Sequence, residues 1–248
     1  MNSLSASDIW ISFVNDLHRD NRFFPDHNIQ TYLENICTQF KTTIEINEIL
    51  YRARTMSEDD IFMAFSRRNQ PFYGFDKENS YMPPINQTVD GRANVNGISC
   101  LYLAREEETA LIEVRPILSN KVSIAEIQVL SQLSCVDLTI DTVHDSQDIN
   151  ISLKNYIDFW FSMPVQHYEK DDYIPTQYIA SYIKHKGYDG IIYKSSLNPN
   201  GKNVALFDGS KAAPISSRVV SVCGMGISAR SVLPKGDKLI VYDNGATI

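Results

Sequence analysis

Between Pro83 and Pro116 the chain reads P-P-I-N-Q-T-V-D-G-R-A-N-V-N-G-I-S-C-L-Y-L-A-R-E-E-E-T-A-L-I-E-V-R-P, which sets a cation at Arg92, an aromatic ring at Tyr102 and a carboxylate at Glu113. Arg92 follows Gly91 and precedes N-V-N-G, so glycines on both sides let the backbone approach a ligand closely, and an arginine there can pair with phosphate. Glu113 lies in T-A-L-I-E-V-R-P with apolar neighbours at 110–112 and 114, where a carboxylate is partly desolvated and is usually paired or functional. The three together suit a substrate with phosphates, a flat ring and a bond that breaks toward a cation. NAD has all three.

Each of these residues also has a plain structural role open to it. A β-turn with a surface arginine accounts for Arg92, and a salt bridge to Arg115 or Arg52 accounts for Glu113. Tyr102, between Leu101 and Leu103, faces opposite to them in a regular strand and is either core or a pocket wall that stacks on a flat ring. Arg52, in L-Y-R-A-R, is either an edge-strand arginine with a solvated charge or a guanidinium held at a pocket floor to clamp pyrophosphate or a ribose hydroxyl. Arg54 shares its face. Ser195 and Ser196 end the strand G-Y-D-G-I-I-Y-K-S-S. Without a G-x-S-x-G elbow neither reads as an acyl-transfer nucleophile, and a turn or a hydrogen bond to substrate or to Glu113 is their better role.

The elements that must position these residues follow from periodicity. Ile9, Trp10, Phe13, Val14 and Leu17 fall on one face of a helix capped by Ser7 or Asp8, and Ile29, Tyr32, Leu33, Ile36, Cys37 and Phe40 on one face of a second, capped by Asp26. From Ile46 the character changes: 46–54 is a strand, 59–68 a short helix or turn, and 69–91, with Pro71, Gly74, Pro83, Pro84 and Gly91, a long irregular loop. A loop of that length is uncommon in a compact domain unless it is functional. Strands are expected at Ile98–Ala104, Val122–Leu130, Cys135–Ile140, Tyr188–Tyr193 and Asn203–Phe207. Helices are expected at Glu106–Val114, Asn155–Met163 and Pro175–Lys186. Asn198–Gly201 is a turn, and S-R-V-V-S-V-C and K-L-I-V-Y-D add one or two more strands. Strands and helices mix without βαβ alternation and no G-x-G-x-x-G follows a strand, so the class is α+β rather than doubly wound.

At 248 residues the chain can bury a full core without disulfides or metals. The net charge of -7 argues against direct nucleic-acid binding, which favours a basic footprint, yet leaves room for a local basic pocket. Cys37, Cys100, Cys135 and Cys223 form no C-x-x-C pair and read as reduced residues of a cytoplasmic protein. The five histidines lack metal-ligand spacing, so no metal is expected. M-N-S-L-S-A-S-D-I-W is no secretion signal, and no segment is long and apolar enough to span a membrane.

Taken in order, L-Y-R at Leu50–Arg52, G-R-A-N at Gly91–Asn94, G-I-S-C-L-Y-L-A at Gly97–Ala104, T-A-L-I-E-V-R-P at Thr109–Pro116, Y-I-P-T-Q at Tyr173–Gln177, G-Y-D-G-I-I-Y-K-S at Gly187–Ser195 and N-V-A-L-F at Asn203–Phe207 resemble the motifs of the RES-domain family. The resemblance covers roughly residues 45–225. It divides the chain into a helical amino-terminal extension, 1–44, and a RES-like catalytic domain, 45–248. The extension either mediates contact in a homodimer or covers an otherwise exposed sheet. The resemblance implies mixed, mainly antiparallel sheets with flanking helices, related to ADP-ribosyltransferase toxins. It also implies that the family's arginine, glutamate and serine correspond to Arg52, Glu113 and Ser195, with Ser196 a one-residue alternative, and its second arginine and pocket tyrosine to Arg92 and Tyr102. Asn203 joins the substrate-binding set on the same ground. Relatives in this family are toxins of bacterial toxin–antitoxin pairs that degrade NAD or ADP-ribosylate a protein, with an antitoxin carrying a helix-turn-helix domain as partner.

The implied chemistry needs one carboxylate and no cofactor, NAD being the substrate. Ordinary glycosidases need two carboxyl groups because an alkoxide leaves poorly, whereas nicotinamide leaves NAD neutral from a cationic pyridinium. Glu113 then stabilises an oxocarbenium-like ribose, arginines hold the pyrophosphate, and Tyr102 positions the ring. Water or phosphate attack makes the protein a glycohydrolase or phosphorylase. Attack by a protein side chain makes it a mono-ADP-ribosyltransferase, and binding without turnover a non-catalytic NAD-binding module.

Overall fold

The computed structural model describes residues 5–25, 27–66, 71–140, 148–163, 170–224, 227–230 and 239–242. In chain order the elements are α1 (Ala6–Asn15), α2 (His27–Gln39), β1 (Lys41–Ile44), β2 (Ile49–Thr55), α3 (Glu58–Ser66), β3 (Leu101–Ala104), α4 (Glu107–Glu113), β4 (Lys121–Val129) and β5 (Leu133–Asp137). They continue with α5 (Ile149–Ser162), α6 (Ile174–His185), β6 (Gly190–Lys194), β7 (Lys202–Leu206), β8 (Ala212–Ser221), β9 (Ile227–Arg230) and β10 (Leu239–Tyr242). Eight strands form one sheet in the order β1-β5-β6-β7-β3-β2-β4-β8, and β9 pairs with β10 apart from it. Within the large sheet only β5 and β6 run parallel, joined by a crossover that carries α5 and α6. The architecture is α+β, with a mainly antiparallel sheet. Among the described residues no helix is long and apolar enough to cross a membrane.

Side-chain alternation puts the two larger clusters of the core on opposite faces of the sheet, and a small third gathers Met56, Ala64 and Phe75. On one face, Val136, Ile191, Tyr193 and Ala205 meet α1, α2, α5 and α6 through Trp10, Phe13, Leu33, Ile36, Leu153, Ile157, Ile179 and Ile183. On the other, all eight strands contribute to a second cluster, from Ile44 of β1 through Leu101 and Leu103 of β3 to Ala212 of β8, and among the described residues no helix joins it. Tyr81 and Met82 of the loop after α3 pack against this face. Cys37, Cys100 and Cys135 are buried free thiols, and Cys223 is exposed.

Several local expectations are corrected. The first helix is capped by Ser5, whose hydroxyl accepts from the Asp8 amide while Asp8 reaches back to the Ser5 amide. This capping box starts the helix earlier than a cap at Ser7 or Asp8. Asp26, the cap expected for the second helix, lies outside the described residues. The first helix continues as a π-helical turn over Asp16–Asp20, which brings Leu17 into the core. Arg52 is on no edge: β2 lies between β3 and β4, and the edges are β1 and β8.

The helices of residues 1–44 lie over the same core face as α5 and α6, and β1 closes one sheet edge against β5. Tyr188 donates to the Cys37 carbonyl at 2.9 Å and Tyr182 to that of Gln30 at 3.1 Å. Removing residues 1–44 strips apolar cover from Leu153, Ile157 and Ile183 at a cost of roughly 25 cal/mol per Å² exposed. The truncated chain is expected to express as insoluble aggregate, which a soluble-fraction assay against the full chain checks.

Candidate active site

The site is built where α4 meets the strands at its own carboxyl end. Glu106 precedes α4 and its carboxylate accepts from Thr109 Oγ1 at 2.9 Å and from the Lys202 amide at 3.1 Å. Asn198 Nδ2 donates to Thr109 Oγ1 at 2.9 Å, so the Asn198–Gly201 turn is fastened to the helix. A Cβ on Gly201 would stand 2.3 Å from Thr109 Oγ1, which explains a glycine there. After Glu113 the helix stops, with Arg115 in the left-handed region at φ 47° ahead of Pro116.

This fastening brings Glu113 over the ends of β6 and β7. Its Oε1 accepts from Ser195 Oγ at 2.7 Å and from Asn203 Nδ2 at 2.6 Å. The Ser195 oxygen in turn accepts from the amides of Leu197 and Asn198 at 3.1 and 3.0 Å, which commits its proton to Glu113. Both donors fall on one carboxylate oxygen. Within the described residues Oε2 accepts no hydrogen bond and is left to a ligand. Ser196 is exposed, one residue out of register with this network. Of the two serines it is Ser195 whose hydroxyl bonds Glu113. Ser195→Ala is expected to lower turnover about tenfold by loosening Glu113, and Ser196→Ala to leave it unchanged. Steady-state rates of the two variants check this.

Glu113, Arg52, Arg92, Tyr102 and Asn203 line one cavity of about 350 Å³, together with Tyr51, Tyr173 and Tyr193. Arg52 is held by backbone: its Nη1 donates to the Tyr81 carbonyl at 2.5 Å and to that of Asn79 at 3.5 Å. The long loop after α3 thus has a positional task. Burial, with repulsion from Arg54 second, lowers the Arg52 pKa to about 10, which leaves it charged at neutral pH. Arg54 donates to the Asn79 carbonyl at 2.6 Å and lies 4.7 Å over the Phe75 ring.

Arg92 caps the carboxyl end of α5, donating to the carbonyls of Trp160 at 3.3 Å and Phe161 at 2.6 Å, which lack helical partners of their own. Its turn is closed by the Gly91 amide on the Asn94 carbonyl at 2.9 Å. Tyr102 supports that turn from below, accepting from the Ala93 amide at 2.9 Å and donating to Asn94 Oδ1 at 2.7 Å. Burial pushes its hydroxyl pKa well above the usual range, so it stays a donor. A Cβ on Gly91 would come within 2.5 Å of that hydroxyl. Tyr102 therefore combines the two roles the sequence left open, packing into the core and lining the cavity.

Among the described residues neither arginine of the cavity lies within ion-pair distance of a carboxylate, and neither does Glu113 pair with Arg52 or Arg115. Two guanidinium groups neutralised only by carbonyl dipoles, in a protein of net charge -7, make a receptor for oxyanions. Sequence reasoning did not assign Tyr51, Tyr173, Tyr193 or Gln177 to the site. Tyr193, 5% exposed, lines the cavity two residues before Ser195, and strand alternation from Ser195 is the signal that points to it. Gln177 of α6 donates through Nε2 to the carbonyls of Gly91 at 3.1 Å and Asn94 at 2.9 Å, a contact that no local pattern reveals.

A family model described as RES domain matches residues 49–229. The chain belongs to the RES-domain family. No curated protein matches it in sequence. Among solved structures it is similar to a chain of the crystal structure of the M. tuberculosis MbcT–MbcA toxin–antitoxin complex, with 14% identity, 80% of this chain and 93% of that chain covered, and a TM-score of 0.43. The RES match takes in every lining residue of the cavity and begins after β1, so α1, α2 and β1 lie before it.

Proposed function

We propose that this RES-domain chain consumes NAD by breaking the bond between nicotinamide and ribose. The observation that carries the reading is Glu113: its Oε1 is fixed by Ser195 and Asn203, and the residue lines a cavity together with Arg52 and Arg92. Charge develops on the ribose as neutral nicotinamide departs, and a carboxylate already oriented there stabilises it without reorganising. The arginines bind the pyrophosphate, whose charge does not change in the step. At about 350 Å³ the cavity is at the small end of ligand sites, so the nicotinamide riboside half enters and the adenosine half stays outside. Tyr102 and Tyr193 flank the ring, and the Tyr193 hydroxyl, raised in pKa by burial, donates to a substrate oxygen.

The family supports a toxin of the cytoplasm, held in check by an antitoxin with a helix-turn-helix domain whose acidic or carboxylate-ended segment takes the oxyanion positions at Arg52 and Arg92. The fate of labelled NAD tests the reading. Label in free ADP-ribose, or in its phosphate ester when phosphate is added, supports hydrolysis or phosphorolysis. Label on a protein assigns mono-ADP-ribosylation instead, and bound but intact NAD assigns a non-catalytic module.

A further inference from the structure

A second cavity, of about 510 Å³, lies between the segment after α1 and the outer face of α6. Its walls are aromatic and held in place. Tyr178 accepts from Gln30 Nε2 at 3.2 Å, and Tyr182 donates to the Gln30 carbonyl at 3.1 Å. Opposite them stands Phe24, 78% exposed, in a turn fixed by Asn21, whose Oδ1 accepts from the Phe24 amide at 3.1 Å. Large apolar side chains held out in this way mark binding surfaces. Arg22 and His185 also line it, and Arg22 brings a positive charge to an acidic protein.

The floor of this cavity includes Gln177, which is 5% exposed. Its Nε2 is committed to the carbonyls of Gly91 and Asn94, which fixes the amide's orientation, since only the nitrogen donates. Within the described residues its Oε1 accepts no hydrogen bond. Gln177 lines the cavity, and an acceptor with no protein partner there is open to an N–H donor from a ligand. Aromatic walls, one open acceptor on Gln177 and the Arg22 guanidinium together select a planar heteroaromatic base bearing an N–H group and an anionic substituent.

We propose that the second cavity binds a purine nucleotide, stacked between Phe24 and the α6 tyrosines, donating to Gln177 Oε1 and placing its phosphate at Arg22. Occupancy has a consequence for the first cavity. Donation to Oε1 polarises the amide and strengthens its Nε2–H bonds to the Arg92 turn, because linked hydrogen bonds reinforce one another. The bound nucleotide therefore firms Arg92 in place and lowers KM for NAD. The binding does not depend on the function proposed above, whereas the effect on KM rests on it.

Calorimetric titration of the full chain with AMP tests the binding without reference to turnover. One site is expected, weakened about tenfold or more in Phe24→Ala by loss of a stacking wall and in Arg22→Glu by charge reversal, and unaltered in Arg52→Ala. Adenosine, lacking the phosphate, is expected to bind about tenfold more weakly than AMP. Phe24 and Arg22 lie on the surface outside the NAD cavity, so both variants keep the basal rate. Where NAD is turned over, AMP lowers KM about fivefold in the wild type and not in Phe24→Ala. Absence of AMP binding, binding indifferent to Phe24→Ala and Arg22→Glu, or binding abolished by Arg52→Ala overturns the proposal. An AMP-dependent rise in KM overturns the coupling.

Discussion

Glu113→Gln is expected to reduce nicotinamide release by about 10³-fold through kcat, with KM for NAD little changed. Glutamine keeps the size of the side chain, and its carbonyl still accepts from Ser195 and Asn203, which hold Oε1 at 2.7 and 2.6 Å. The negative charge facing the ribose is lost. In the proposed mechanism that charge acts on an oxocarbenium-like centre present only in the transition state, so its removal is expected to raise the barrier to reaction and leave ground-state binding alone. Circular dichroism and thermal unfolding of the variant are expected to match the wild type. A kcat within tenfold of wild type would assign Glu113 a structural task.

Arg52→Ala is expected to act on the other kinetic parameter. Pyrophosphate carries the same charge before and during bond cleavage, so losing its guanidinium partner raises KM by about 10²-fold with a smaller change in kcat. A 10²-fold loss is about 2.7 kcal/mol, the size of one charge-assisted hydrogen bond of roughly 1.5–3 kcal/mol. The substitution also deprives the Tyr81 carbonyl of its 2.5 Å donor, which loosens the loop before β3. Arg52→Lys restores charge but not the planar fork, and recovers only part of the affinity. Steady-state kinetics on Arg52→Ala and Glu113→Gln side by side separate a KM effect from a kcat effect.

Much of the frame was legible because short continuous apolar runs mark strands buried on both faces. Leu101–Ala104 and Lys202–Leu206 fall close to their expected bounds, and Tyr102 does face opposite to Leu101 and Leu103. The misses have physical causes. β1 is short and half exposed, K-T-T-I, as edge strands often are. β8 begins at Ala212 and not at Ser217, and Pro214 disguised it. A proline is tolerated there because β8 is an edge strand and the register with β4 shifts between Glu126 and Ile127. The start of α5 at Ile149 rather than Asn155 was hidden in the sequence because Lys154, fully buried, interrupts its apolar face. Its ammonium donates to the carbonyls of Leu138 and Ile140, partners that sequence periodicity cannot display.

The site shows the same division. Residue type and local company singled out Glu113, Arg92 and Arg52, since buried or loop-held charges are costly and seldom idle. The choice between Ser195 and Ser196 depended on strand register, which a one-residue slip inverts. The Gln177 clamp on Gly91 and the capping of α5 by Arg92 join segments far apart in sequence, so only the assembled fold displays them.

Chromatographic measurement of free nicotinamide after incubating NAD with the purified full chain, wild type beside Glu113→Gln, tests the central claim most directly. Nicotinamide accumulating with the wild type and remaining at background with the folded variant is the predicted result. Intact NAD with folded wild-type protein, or equal release by both proteins, would contradict it.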